Sequence, residues 1–239
     1  MMGALPDDNE AFGQELPRHS VSLSSFSIGE TEVTQALWQA VMGESVTQIA
    51  SRNGWPTYGV GSNYPMYFIS WNDCQEFISK LNSLTGKNFR LPTEAEWEFA
   101  ARGGNKSKGY KYSGSNNIGD VAWFWQNSGD KFLSGTDDDW DYNKTLQNNC
   151  KTHPVKQKQA NELGIYDMSG NVLEWCQDWY GDYNSSSQTN PTGPSSGPGR
   201  VIRGGSWTNN ARGCRSSYRI DYYPAYSHDR LGLRLALSE

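Results

Sequence analysis

The stretch RLPTEAEWEFAARGG, residues 90–104, reads as one short helix with both ends marked. Thr93 stands three residues before Glu96, the spacing of a capping box, in which hydroxyl and carboxylate each take a free amide of the first turn. Trp97, Ala100 and Ala101 recur at helical spacing and predict the inward face, and Gly103 predicts the stop. Upstream, SWNDCQEFISKLNSLTG (70–86) repeats the pattern with Ser70 and Asp73 as the box and Gly86 as the stop. Its predicted face is Cys74, Phe77, Ile78, Leu81 and Leu84. Earlier still, Thr34 caps a helix whose face is Leu37, Trp38 and Val41 and whose end is Gly43. The remaining order comes in short alternating pieces: HSVSLSSFSIG (19–29), GRVIRGGSW (199–207) and RLGLRLAL (230–237). Few helices, short strands and long connections predict an α+β fold and exclude a parallel α/β repeat.

Composition sets the bounds. A chain of 239 residues can bury a sizeable core without disulfides. Only 36% of it is hydrophobic, but 10 Trp and 13 Tyr are present, so large rings must supply much of that core. With 25 Gly and 10 Pro the chain is rich in turns, and NSSSQTNPTGPSSGPG (184–199) reads as a surface loop. A net charge of −5 without a basic run excludes nucleic acid and an anionic membrane surface as partners. No apolar run approaches the roughly 18 residues of a membrane span. The four cysteines, Cys74, Cys150, Cys176 and Cys214, form no CxxC, and the three histidines, His19, His153 and His228, are scattered.

Five blocks carry a resemblance: IGETEVTQALWQAVMG (28–43), YPMYFISWNDCQEFISKLN (64–82), RLPTEAEWEFAARGG (90–104), ANELGIYDMSGNVLEWCQDWYG (160–181) and RVIRGGSW (200–207). In order and content they resemble the formylglycine-generating enzyme family, the sulfatase-modifying-factor type of C-type lectin fold. The resemblance implies a single domain over residues 1–239, with two main helices packed against small twisted antiparallel sheets and long loops. It also implies a structural calcium held by the side chains of Asp167 and Glu174 and the carbonyls of Gly170 and Val172, hard oxygen donors that suit that ion. Read on its own residues, the same loop is a capped turn, with Asp167 on backbone amides, Asn171 left-handed and Trp175 in the core.

Enzymatic members of the family are copper-dependent oxidases that use two cysteines five residues apart, since paired thiolates hold Cu(I). Counted from Gly204, those positions here are Asn209 and Cys214, so one thiol is missing. An iron-dependent branch needs a histidine triad that three scattered histidines do not suggest. The expectation is no catalysis, no catalytic cofactor and a buried Cys214 thiol. The acidic segment SGTDDDWDYNK (134–144) is expected to be a solvated loop, in an insertion that flanks a binding surface.

The C-terminal stretch 203–235 has orderly ends and an irregular middle. Frame residues match the family: Arg203, Gly204, Gly205, Ser206, Trp207, Cys214, Arg215, Pro224, Gly232 and Arg234. Between them, slots that relatives fill with Asn hold Thr208, Gly213, Tyr218, Ile220, Asp221, Tyr222, Tyr223, Tyr226, His228, Asp229 and Arg230. Each is reachable from the Asn codon AAC by changing its adenines, a pattern that resembles the variable proteins of diversity-generating retroelements, the treponemal ones above all. The predicted ligand site is therefore Trp207, Asn210 and Arg212 together with those eleven slots. Tyrosines give large amphipathic contact area while few torsions freeze, and the small polar neighbours adapt. Glycines at 204 and 205 allow a tight path, Trp207 anchors it, and Leu231, Leu233 and Leu235 alternate as a half-buried closing strand.

The expected function is a receptor- or adhesin-like binding protein, monomeric, recognising a protein or other macromolecular surface. Display outside the cell follows from the resemblance, as a lipoprotein whose signal lies outside this sequence. The alternatives are a copper- or iron-dependent oxidase and a non-catalytic accessory domain with a fixed partner.

Overall fold

The computed structural model describes residues 1–238. Its elements run β1 (Val21–Ser22), β2 (Phe26–Ile28), α1 (Gln35–Met42), α2 (Val46–Asn53), α3 (Trp71–Thr85), β3 (Phe89–Arg90), α4 (Glu94–Ala101), α5 (Ile118–Val121) and α6 (Tyr142–Gln147). Then come β4 (Leu173–Trp179), β5 (Gln188–Thr189), β6 (Arg200–Arg203), β7 (Arg219–Tyr222), β8 (Leu231–Gly232) and β9 (Ala236–Ser238). A four-stranded sheet has the order β7-β6-β4-β8, a three-stranded one β2-β9-β3, and β1 pairs with β5. The α+β class holds. Two pairings, β1 with β5 and β4 with β8, are parallel rather than antiparallel as expected. Both join segments remote in sequence, where no hairpin dictates direction. No helix among the described residues is long and apolar enough to cross a membrane.

The predicted helix ends are present. Ser70 donates its amide to Asp73 at 2.8 Å while the Asp73 amide returns to the Ser70 hydroxyl at 3.1 Å. Thr93 and Glu96 make the same exchange at 2.8 and 3.2 Å. Gly43 and Gly86 end their helices in the left-handed region, at φ 75° and 69°, where a side chain would be strained. Two predicted inward residues point out. Leu37 is exposed because α1 turns Gln35 and Trp38 inward, the latter stacked on Phe77 of α3 at 4.9 Å. Leu84 is 70% exposed in the last turn of α3, beyond the apolar layer. The helix α2 was not foreseen, although Ser45 and Gln48 carry the same capping signature.

The largest core cluster joins Trp38 and Phe77 to Met66, Tyr67, Trp175, Ile202, Leu231 and Leu233. Rings do supply this core, as composition required. The closing strand is broken into β8 and β9, and Leu231 and Leu233 are fully buried rather than half-buried. Both neighbouring layers cover them.

Helix α4 is buried nearly all round, Glu94, Glu96 and Glu98 included. Asp178 at the end of β4 accepts the Glu94 amide at 2.9 Å and so closes the helix N-terminus. Burial, and then the Glu94 carboxylate, pushes the Asp178 carboxyl up to about 7, from an ordinary 3.8. The folded chain thus keeps a proton that the unfolded chain has released. This share of stability is complete below about pH 4 and is lost as pH rises through 7. Thermal melts of wild type and Asp178→Asn between pH 5 and 8 should show the wild type losing more stability with rising pH than the variant.

Candidate ligand-binding face

Strand β7 lies at the edge of the four-stranded sheet, and its side chains alternate. Ile220 leans on the main core, while Arg219 goes to the other side and meets Glu94 with two bonds of 2.7 Å. Past Ile220 the chain opens into rings. Tyr222 and Tyr223 are 36% and 59% exposed. Half-buried Tyr226 gathers both, with ring centroids at 4.6 and 5.3 Å, and reaches the His228 ring at 5.9 Å. Arg230 extends the face: its Nη1 donates to the Thr208 hydroxyl at 3.0 Å, and its guanidinium sits 5.6 Å over the Tyr142 ring.

Residues outside the C-terminal stretch complete the surroundings. Tyr58 stacks on Trp207 at 4.8 Å, and Tyr142 offers its hydroxyl to Asp229 at 3.5 Å. Burial, then the Asp229 carboxylate, pushes the Tyr142 hydroxyl up to about 12, so it remains a donor. The expectation of a wholly solvated acidic loop at 134–144 needs correction. Asp137 accepts the amides of Ala211 and Arg212 at 2.9 and 2.6 Å, and the Trp140 indole donates to the Thr208 carbonyl. Free amides at the start of the 3-10 turn Ala211–Cys214 attract this carboxylate, while Asp138 and Asp139 stay exposed.

The fourteen expected ligand contacts do not form one face. Trp207, Thr208, Gly213 and Asp229 are buried; the Trp207 indole donates to the Asp229 carbonyl at 3.2 Å, and these four brace the loop from within. Asn210 caps the 3-10 turn through the Gly213 amide at 3.1 Å. Arg212 lies 3.6 Å over the Phe12 ring and donates to the Glu10 carbonyl, and Tyr218 packs on Phe12 at 5.7 Å, so both face the N-terminal segment. Asp221 projects from the far side of β7 toward Gly199. What remains together and open is Tyr222, Tyr223, Tyr226, His228 and Arg230, with Ile220 as floor.

Four arginines hold this stretch from below, all essentially without exposure. Arg203 meets Glu98, Arg215 meets Glu15 at 2.6 and 2.7 Å, Arg219 meets Glu94, and Arg234 meets Glu174 at 2.7 Å. The last three are bidentate, and such guanidinium–carboxylate pairs fix direction as well as position. Gly205, at φ 72°, is equally constrained: a Cβ there would meet the Cys214 sulfur and the Gly213 carbonyl, both at 2.6 Å. Sequence reading kept Arg203, Arg215 and Arg234 in the frame but missed Arg219 and every carboxylate partner; the acids spaced four apart on α4, Glu94 and Glu98, were the available signal.

The family model for the sulfatase-modifying factor enzyme 1-like domain matches residues 1–239. This chain belongs to the sulfatase-modifying factor family. It is 36% identical to the chaperone protein LppX of Paenibacillus barcinonensis, over 83% of this chain and 75% of that protein. To the formylglycine-generating enzyme of Streptomyces coelicolor it is 30% identical, over 95% and 84% of the two chains. Among solved structures, Treponema denticola variable protein 1 superposes with a TM-score of 0.80 at 33% identity, covering all 100% of this chain and 91% of that one.

The metal chemistry of a sulfatase-modifying factor protein can be tested on these residues. Calcium does not fit the expected donors. Both Glu174 oxygens accept from Arg234, at 2.7 to 3.1 Å, and one also accepts the Trp97 indole at 2.6 Å, so the carboxylate already has its cation. Asp167 accepts the Lys156 amide at 2.9 Å, and Gly170 and Val172 sit in a loop stapled by the buried Glu32, which takes the Val172 amide at 3.1 Å and the Asn171 side chain at 2.9 Å. With Asn171 left-handed at φ 62° and Trp175 buried, the capped-turn reading describes this loop. Chelation with EGTA should therefore move the thermal midpoint by less than about 1 °C, since only a bound ion can stabilise by linkage; a fall of several degrees would contradict this.

Copper fares no better. Cys214 is buried, and burial pushes its thiol well up. Asn209, at the other expected position, accepts the Ser206 hydroxyl at 2.6 Å. One protonated thiol and one amide do not make a Cu(I) site.

Proposed function

We propose that this chain is a non-catalytic recognition protein that presents a sequence-diversified face on a sulfatase-modifying factor scaffold. The observation that carries the reading is the open Tyr222–Tyr223–Tyr226 cluster, set between ends pinned by buried arginine pairs. Exposed rings at this density leave apolar area in water unless a partner covers it. Likeness to Treponema denticola variable protein 1 over the full chain supports diversification. The partner class is a protein or other macromolecular surface met outside the cell by a monomer, because rigid rings with adaptable polar neighbours suit broad epitopes.

The test is genomic. An Asn-rich near-copy of the segment encoding residues 203–235, beside a reverse transcriptase gene, is the expected finding, with sibling isolates differing only at the Asn-derived slots. Identical C-termini in all isolates would contradict it. Identity to a formylglycine-generating enzyme keeps oxidase activity as the second reading. Incubated with copper and a cysteine-containing peptide, the protein is expected to give no turnover; stoichiometric copper with peptide oxidation would establish the oxidase instead. One fold carries many chemistries, so the site decides.

A further inference from the structure

Across β7 from the tyrosines, on the side that Arg219 faces, lies a cavity of about 560 Å³, a size that suits a small organic molecule. The start of α4, the end of β4, the loop after it and the N-terminal segment form its walls. The loop includes the stretch 184–199, and it is held in place by the parallel pairing of β5 with β1 and by Asn190, whose amide reaches the Ser22 carbonyl at 2.9 Å.

Two buried polar side chains on this wall lack a full set of partners. Asp178 is 4% exposed; its Oδ2 accepts the Glu94 amide, and its Oδ1 takes no hydrogen bond from another of the described residues. His19 is 3% exposed and lies 3.0 Å from the Pro17 carbonyl through Nδ1. A carbonyl only accepts, so Nδ1 carries a proton, and in the neutral form of such a ring Nε2 is the acceptor. The phenol and the guanidinium that line the cavity are engaged. Tyr183 gives its hydroxyl to Glu94 at 3.1 Å, and Arg219 is taken up by Glu94 at 2.7 Å and by the Gln14 and Gly181 carbonyls at 3.2 and 2.9 Å. The wall therefore offers a carboxylate oxygen and a ring nitrogen, while its arginine and its phenol are already taken up and Gln188, Thr189 and Thr192 add only neutral groups. Its charge points the same way: Glu94, Asp178 and Asp182 line it against one arginine, itself paired.

We propose that this cavity binds a small primary amine, its ammonium seated on the Asp178 carboxylate and offering a second hydrogen bond to His19 Nε2. An ammonium brings three donors and one positive charge, which suits a buried carboxylate beside a second acceptor. The raised Asp178 carboxyl agrees, because a bound ammonium replaces the proton it otherwise holds near neutrality. The charged and titratable groups around it are Glu94 and Glu96 of α4, Cys176 of β4, Asp182 and Tyr183 of the loop, Arg200 of β6, Arg219 of β7 and His19. Binding should thus tighten from pH 6 to 8, as Asp178 loses its proton while an alkyl ammonium keeps its own.

Isothermal titration of the full chain with putrescine and with ethanolamine at pH 8, and with propionate as the anionic control, tests this. Saturable binding of at least one amine is expected, weakened about tenfold or more in Asp178→Asn and in Thr192→Trp. Thr192 is an exposed residue of the cavity wall, so a bulky ring there obstructs the space without touching the core. Tyr223→Ala, on the recognition face, should bind as wild type does, which separates this site from that one. No saturable heat with either amine, equal binding of propionate, or full binding by folded Asp178→Asn and Thr192→Trp would each overturn the proposal.

Discussion

Glu174→Gln is expected to lower the thermal midpoint by about 10 °C. The substitution keeps shape and leaves an acceptor for the Trp97 indole, but it strips the buried Arg234 of its only carboxylate contact within salt-bridge distance among the described residues. Removing one partner of a buried pair leaves an uncompensated charge and costs roughly 3–5 kcal/mol. In a chain of this length each kcal/mol is worth about 2–4 °C. Replacing both partners, Glu174→Gln with Arg234→Met, should recover part of the loss, because no stranded charge then remains. The comparison separates charge stranding from general disruption: a double variant no more stable than the single would show that packing, not charge, is what Glu174 supplies. Calorimetry of the three proteins reads the result directly.

The second large effect is a gain of function. A phage-displayed library varied at Tyr222, Tyr223, Tyr226, His228 and Arg230, with codons of the form NNC, should yield binders to lysozyme after panning. Dissociation constants of about 1 μM or better are expected, against no measurable binding by the parent. A few buried rings carry most of the energy of such contacts, at about 2 kcal/mol or more each. The same library built on Thr208, Gly213 and Asp229 should yield none, since those positions are enclosed by their own chain. Binders from the second library and none from the first would reverse the assignment of the open face.

The helices were legible because their ends are local: a hydroxyl, an acid three residues on and a glycine settle the backbone wherever the helix packs. Inward faces were less so. Leu84 continues the helical spacing of α3, but spacing does not record where the neighbouring layer ends. On α4 the apolar pattern marked Trp97, Ala100 and Ala101, yet Glu94 and Glu98 are buried too, because arginines more than a hundred residues away meet them. Such partners leave no local trace. The same holds for Glu174, whose charge the family loop assigns to calcium and this chain assigns to Arg234. At the open face, the sequence pattern equates an Asn-like slot with a surface slot. That works for Tyr222 and Tyr223, which lie past the end of the frame. It fails for Thr208 and Asp229, over which the insertion brings Trp140 and Tyr142.

All of this rests on a division between a frame that fixes the C-terminal backbone and side chains free to change on it. Thermal unfolding of some tens of members of the first library measures that division most directly. Midpoints within about 3 °C of the parent, beside a fall of about 10 °C for Glu174→Gln, are what the buried pairs predict. Face variants that fall as far as the frame variant would show that the tyrosines hold the fold together and are not free to vary.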